Sequence, residues 1–207
     1  MTLKEEIRSE SFIKSVGSGE MSPDNLLGVF QTTTKKLLSE SLKSGYLLFP
    51  LRPREIDARQ VMCEVLSSQE KYHMIECPIY SPAQKLLHRA SFTDLSIFLR
   101  NGIIDIEFKK SPSDIKRDFP KMLSSKSLGC ASFYFFNGKK IDKQLPLIKN
   151  RYKEAYEATL SSFNLPNMIK NKWYIFFLLA YEEKRIFYNL FDDIDRLDFS
   201  ILQEKRV

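Results

Sequence analysis

The chain has 207 residues, 43% of them hydrophobic, enough apolar surface for a sizeable core in one domain. Charged residues make up 28% and no segment is low-complexity, which excludes a disordered chain. The net charge of +6 is uneven: residues 109–153 hold 12 Lys/Arg against 3 Asp/Glu, a local +9 that leaves −3 elsewhere, and such a basic middle suits a polyanion such as nucleic acid or, more plainly, a solvated basic face.

In chain order, residues 1–21 read as a loose lead-in rich in Ser, Glu and Gly. Ser22-Pro23 is a helix start, Leu26, Phe30, Leu37, Leu38 and Leu42 follow a helical stripe, and Gly45 marks the end. YLLFPLRP, residues 46–53, is broken by two prolines. A second helix is expected over Arg54–Glu70, with Ala58, Met62, Val65 and Leu66 on one face and Glu55 on the same stripe. Tyr72–Tyr80 reads as a strand. A hairpin follows, FTDLSIFLRNGIIDIEFKK over Phe92–Lys110, with Asn101-Gly102 as its turn. Ser111-Pro112-Ser113 restarts a helix that runs to about Ser124, and GCASFYFF (Gly129–Phe136) is an apolar strand. Leu145, Ile148, Tyr152, Tyr156, Leu160 and Phe163 space out an amphipathic helix, and Trp173–Tyr181 and Arg185–Phe191 form a last hairpin. The aromatic runs FYFF and WYIFFLLAY are unbroken enough to be buried strands rather than base-stacking platforms. The fold class is α/β, a mixed sheet flanked by helices.

The longest apolar run, Trp173–Tyr181, is shorter than the roughly 20 residues a membrane span needs. The N-terminus MTLKEEIRSES has no signal-peptide apolar core. Cys63, Cys77 and Cys130 are far apart with no C-x-x-C, which argues against a zinc site or a disulfide framework and suits a reducing cytoplasm. His73 and His88 stand alone in the sequence and read as structural or surface residues. No phosphate-binding loop, dinucleotide fingerprint or serine nucleophile motif occurs.

The hairpin carries the chemistry. Ile104, Ile106 and Phe108 face one way, and Asp105, Glu107 and Lys109 the other. With Asn101-Gly102 as the turn, Phe98 falls opposite Asp105, Ser96 opposite Glu107 and Asp94 opposite Lys109. Asp94 then shares a face with Glu107 and Lys109. Two carboxylates beside an ammonium can hold a hard cation and orient a water. The same charges also fit a surface hairpin with an Asp94–Lys109 ion pair contributing at most about 1 kcal/mol.

Asp94, then Glu107-Phe108-Lys109 on the next apolar strand, then a helix and a strand, resembles the PD-(D/E)xK nuclease superfamily, the restriction-endonuclease-like fold. The resemblance covers about residues 54–136, with Thr93 rather than Pro before the first acid. It implies one domain over 1–207, made of an αβββαβ core, an N-terminal helical extension (1–53) and a C-terminal helix-hairpin extension (137–207). It implies a DNA-cleaving enzyme using Mg²⁺ or Mn²⁺ held by Asp94 and Glu107, with Lys109 assisting the attacking water. Glu55 is the expected helix acid that supports the cluster, and Glu64 its runner-up. Lys110, Lys116, Arg117, Lys121, Lys139 and Lys140 are the expected nucleic-acid contacts. A homodimer would give one site per strand of a duplex. A non-catalytic nucleic-acid-binding or assembly subunit of the same fold, and a plain interaction protein, are the alternatives.

Overall fold

The computed structural model describes residues 6–43, 54–79, 91–111, 115–125, 127–162, 172–194 and 197–207. The helices are α1 (Glu10–Val16), α2 (Pro23–Lys43), α3 (Glu55–Ser68), α4 (Ile115–Ser124) and α5 (Ile141–Ser162). The strands are β1 (His73–Ile79), β2 (Ser91–Leu99), β3 (Gly102–Lys109), β4 (Gly129–Phe136), β5 (Trp173–Ala180), β6 (Arg185–Phe191) and β7 (Gln203–Arg206). They form one seven-stranded mixed sheet in sequence order. β1 to β3 are antiparallel, β3, β4 and β5 run parallel, and β5 to β7 are antiparallel again.

Parallel neighbours need crossovers, and α4 and α5 supply them. Both lie on one face, because successive crossovers of the same hand stay on the same side of the sheet. There Ile115, Phe119 and Met122 of α4 and Ile148, Tyr152 and Tyr156 of α5 pack on Cys130, Tyr134, Tyr174 and Phe176. α2 and α3 cover the other face, where Leu26, Phe30, Ala58, Met62 and Val65 meet Ile104, Ile106, Phe108, Phe133 and Phe177. β4 and β5 are therefore buried on both faces, which is why their sequences are unbroken apolar runs.

Three expectations change. The lead-in is not loose: Ser9 accepts a hydrogen bond from the Phe12 N–H at 3.2 Å and caps α1, and Ile7, Phe12, Ile13 and Val16 pack on Cys77, Phe98 and Ile103. Seven residues with so short an apolar stripe barely stand out from a polar lead-in. Gln203–Arg206 also forms a strand, β7, whose exposed charged side chains offer no alternation to read. α5 begins at Ile141, four residues before its stripe becomes regular, because the Glu183 carboxylate accepts the Ile141 N–H at 2.6 Å. The proline-broken segment 46–53 and the loop at Ser81-Pro82 lie outside the described residues.

The hairpin register also shifts. Leu99 pairs with Gly102 and Ser96 with Asp105, so Arg100 and Asn101 make the turn. Each β2 residue meets a β3 partner two positions earlier than expected. A shift of two keeps every side chain on its face, whereas a shift of one would have exchanged them. Gly102 starts the strand with φ +154°, and a Cβ there would lie 2.6 Å from the Leu128 Cγ. Both that backbone angle and that close approach call for glycine.

α1 is fastened through charge. Arg8 donates to both Asp105 carboxylate oxygens (2.8 and 3.2 Å), to Ser96 Oγ (3.1 Å) and to the Pro78 carbonyl (2.6 Å). Ser96 Oγ donates to Asp105 at 2.6 Å. Burial alone would raise the Asp105 pKa, but Arg8 and Ser96 outweigh it and hold the carboxyl below its ordinary range. That stability is present above the usual carboxylate range and is lost as pH falls through the lowered value. Arg8→Ala should destabilise the protein by about 3–5 kcal/mol in urea unfolding, because it strands a buried carboxylate. The Arg8→Met/Asp105→Leu pair should recover most of that loss.

Candidate functional site

The carboxyl ends of β3, β4 and β5 point to one edge of the sheet, and β2 enters the sheet at that edge. Asp94, Glu107 and Lys109 meet there on the face that α4 covers. Ile115, Phe119 and Met122 anchor α4 in the core, which turns Asp118 and Lys121 toward β3. The Lys109 ammonium lies 2.7 Å from Asp118 Oδ2, 3.2 Å from Glu107 Oε2 and 3.6 Å from Asp94 Oδ2. Lys121 Nζ lies 2.6 Å from Asp118 Oδ1 and 3.0 Å from Glu107 Oε1, close to that oxygen but off the angle of a hydrogen bond. Lys121 also donates to the Phe92 carbonyl at 3.0 Å, tying α4 to β2. Asp94 accepts the Phe108 N–H at 2.7 Å, and Thr93 Oγ1 donates to the Ile106 carbonyl at 3.2 Å.

The cluster is enclosed but graded. The Glu107 side chain is 1% exposed and Lys109 11%, while Asp94 at 25% faces outward. Three carboxylates against two ammoniums leave a deficit of one positive charge. Glu107 bears it: burial, then Asp118 and Asp94, push its carboxyl up to about 8 against the pull of Lys121 and Lys109. Burial would lower both lysine pKa values, but Glu107 and Asp118 overcome that and raise them.

The structure thus brings together Asp94, Glu107 and Lys109, and adds Lys121, which the sequence offered only as a nucleic-acid contact. It does not bring Glu55 to them. α3 packs on the opposite face, and Glu55 lines a separate cavity with Arg54, Ile56, Arg59, Phe108 and Lys110. Glu64 is exposed on α3. Lys139 and Lys140 are exposed after β4, beside Asp142, Lys143, Glu182 and Glu183. Lys116 and Arg117 fall in α4 with side chains outside the described residues, as does all of His88. His73 starts β1 with its Nδ1 2.9 Å from the Lys71 carbonyl.

Asp118 was missed. Its signal was present: it lies three residues after Ile115 and three before Lys121, on the inner stripe of the helix that follows Lys109. Lys172 was missed too. Its buried ammonium donates to the Met122 carbonyl, to the Ser125 carbonyl (3.0 Å) and to Ser125 Oγ (2.9 Å), closing the carboxyl end of α4. That end is 50 residues away in sequence, beyond any spacing rule.

Among the described residues no group of three or more His, Cys, Asp or Glu side chains is arranged to hold a metal ion, and the two ammoniums stand between the carboxylates. Among the same residues no helix is long and apolar enough to cross a membrane. Neither a family model, nor a curated protein, nor a solved structure matches the chain.

A raised Glu107 pKa has a defined sign. Its stabilising contribution is complete below the unfolded value near 4.5 and is lost as pH rises through about 8. In EDTA, urea unfolding should therefore show stability falling between those limits, and Glu107→Gln should flatten that slope.

Proposed function

We propose that the chain is a metal-dependent nuclease of the PD-(D/E)xK type that hydrolyses DNA phosphodiester bonds. The observation that carries this reading is the Lys109 ammonium within 3.6 Å of Asp94, Glu107 and Asp118 at the carboxyl edge of the sheet. The order α3-β1-β2-β3-α4-β4 agrees with the αβββαβ core of that superfamily. The basic run after β3 supports a polyanionic substrate.

Carboxylate oxygens are the donor type a hard divalent cation takes, and Asp94, Glu107 and Asp118 supply them, although as placed they pair with Lys109 and Lys121. The cluster's charge also suits one: three acids stand against two lysines, and burial, then Asp118 and Asp94, push Glu107 up. Asp94 and Glu107 would hold Mg²⁺ or Mn²⁺, with Asp118 replacing Glu55 as the third acid of the site. A bound cation supplies charge neutralisation at the phosphodiester and makes a water more acidic. Lys109 orients the attacking water and stabilises negative charge developing on the phosphoryl oxygens. Lys121 holds Asp118 and Glu107 in position. Glu55 takes no part in the chemistry. DNA is the partner. Dimer formation would suit duplex cutting, and the cytoplasm is the proposed location.

A second reading draws on the ion pairs of Lys121 with Glu107 and Asp118, which close the cluster without a metal. In that reading the protein is a non-catalytic nucleic-acid-binding or assembly subunit. Incubation of circular and linear DNA with Mg²⁺ or Mn²⁺ separates the two. The nuclease reading expects cleavage by the wild type that drops at least about 10²-fold in Lys109→Ala. Inactivity of both proteins with DNA binding retained selects the subunit reading. Cleavage that survives Lys109→Ala removes this cluster as the active site.

A further inference from the structure

The opposite face of the same strand end carries a second constellation. Side chains of successive strand residues alternate, so Phe108 and Lys110 point away from Lys109 toward α3. There, among the described residues, Arg54, Arg59 and Lys110 surround a cavity of about 290 Å³, with Phe108 and Ile56 as apolar wall and Glu55 as the acid. The described lining residues carry three cations against one carboxylate. It lies at the first turn of α3, a 14-residue helix whose dipole adds positive potential there. Among the described residues the arginines are only loosely held: Arg54 Nε is 3.5 Å from Asp57, and Arg59 Nη1 is 3.8 Å from Glu76, whose side chain is 71% exposed. Guanidinium groups without a tight carboxylate partner can turn to a phosphate, for which their planar fork is suited.

We infer that this cavity is a phosphate subsite for the nucleic-acid strand whose neighbouring phosphodiester lies at the Asp94–Glu107–Lys109 cluster. The inference rests on the nuclease reading and extends it. A volume of about 290 Å³ is at the small end for an organic ligand and suits one phosphate with part of its sugar. Ile56, 49% exposed, offers that sugar an apolar surface. The cluster and the cavity stand back to back across the end of one strand. A polymer of regularly spaced phosphates can engage both at once, whereas a single small anion fills only one. The substrate backbone then crosses the carboxyl edge of the sheet and straddles β3. Lys110, a contact expected from sequence, joins Arg54 and Arg59, which were not.

The test measures binding rather than cleavage. A fluorescein-labelled DNA duplex is titrated by anisotropy at several salt concentrations, in EDTA and again with Ca²⁺. The proteins are wild type, Arg59→Gln, and the Arg54→Gln/Lys110→Gln pair, which leaves the partly buried Arg59 untouched in case its replacement unfolds the chain. The inference expects each variant to bind about tenfold or more weakly at low salt, with the log–log salt slope shallower by about 0.9, one phosphate's worth. Unchanged affinity and slope in both variants overturn the subsite. A loss of about 1.8 or more in slope also overturns it, since it means independent surface charges rather than one phosphate in one cavity. Cleavage of DNA by the wild type and by variants with unchanged binding would sink the subsite and leave the nuclease reading standing. Absence of both binding and cleavage in the wild type would remove both.

Discussion

Charge on the buried face of β3 is the constraint around which this protein is arranged. Asp105, Glu107 and Lys109 point into one side of a central strand, and each must be matched inside the fold. An unmatched buried charge costs more than most other single features of a small protein contribute. Two elements exist in their observed positions because of this. α1 brings Arg8 to Asp105, and α4 brings Asp118 and Lys121 to Glu107 and Lys109. Apolar packing alone tolerates some sliding, and these ionic contacts, with the hydrogen bonds of Lys121 and Lys172, fix the helix registers.

The two matches differ in completeness. Asp105 has a bidentate guanidinium and a hydroxyl, so its charge is fully met and its carboxyl is held low. Glu107 is buried and shares two ammoniums with two other acids, so burial first, then Asp118 and Asp94, push its carboxyl up. The same strand therefore carries a structural acid and a frustrated one, two residues apart on one face. Perturbed carboxyls occur both at functional sites and in structural ion-pair networks. Asp105 fastens the segment before α1 to the sheet, and Glu107 ties β3 to α4.

Lys172 shows how far the support of α4 extends. It enters from the residue before β5 and closes the end of α4 with an ammonium that burial holds below its ordinary pKa. α4 is also gripped from its apolar side, where Phe119 meets Tyr152 and Tyr174 with ring centroids 5.9 and 5.7 Å apart. A helix held at its end and along its side can present Asp118 and Lys121 without leaving them free to wander.

The sequence by itself determined most of the helices and strands. Period-two alternation in Ile104–Lys109, the unbroken runs of β4 and β5 and the stripe of α5 follow from which faces are buried, and burial is written locally in residue type. It also determined that Asp94, Glu107 and Lys109 share a face, because strand parity survives a register shift of two. The tertiary structure decided the rest. The hairpin turn sits at Arg100-Asn101 rather than Asn101-Gly102, and Gly102 starts β3 instead. Arg8 and Asp118 became partners of the β3 face, and Lys172 of the end of α4, across separations in sequence of up to 97 residues. Glu55 lay on the right helix stripe, but the stripe faced the other side of the sheet. Local pattern says which side of an element is buried. Only the packed layers say which elements meet there, because that choice is made by the whole set of apolar faces and charges at once.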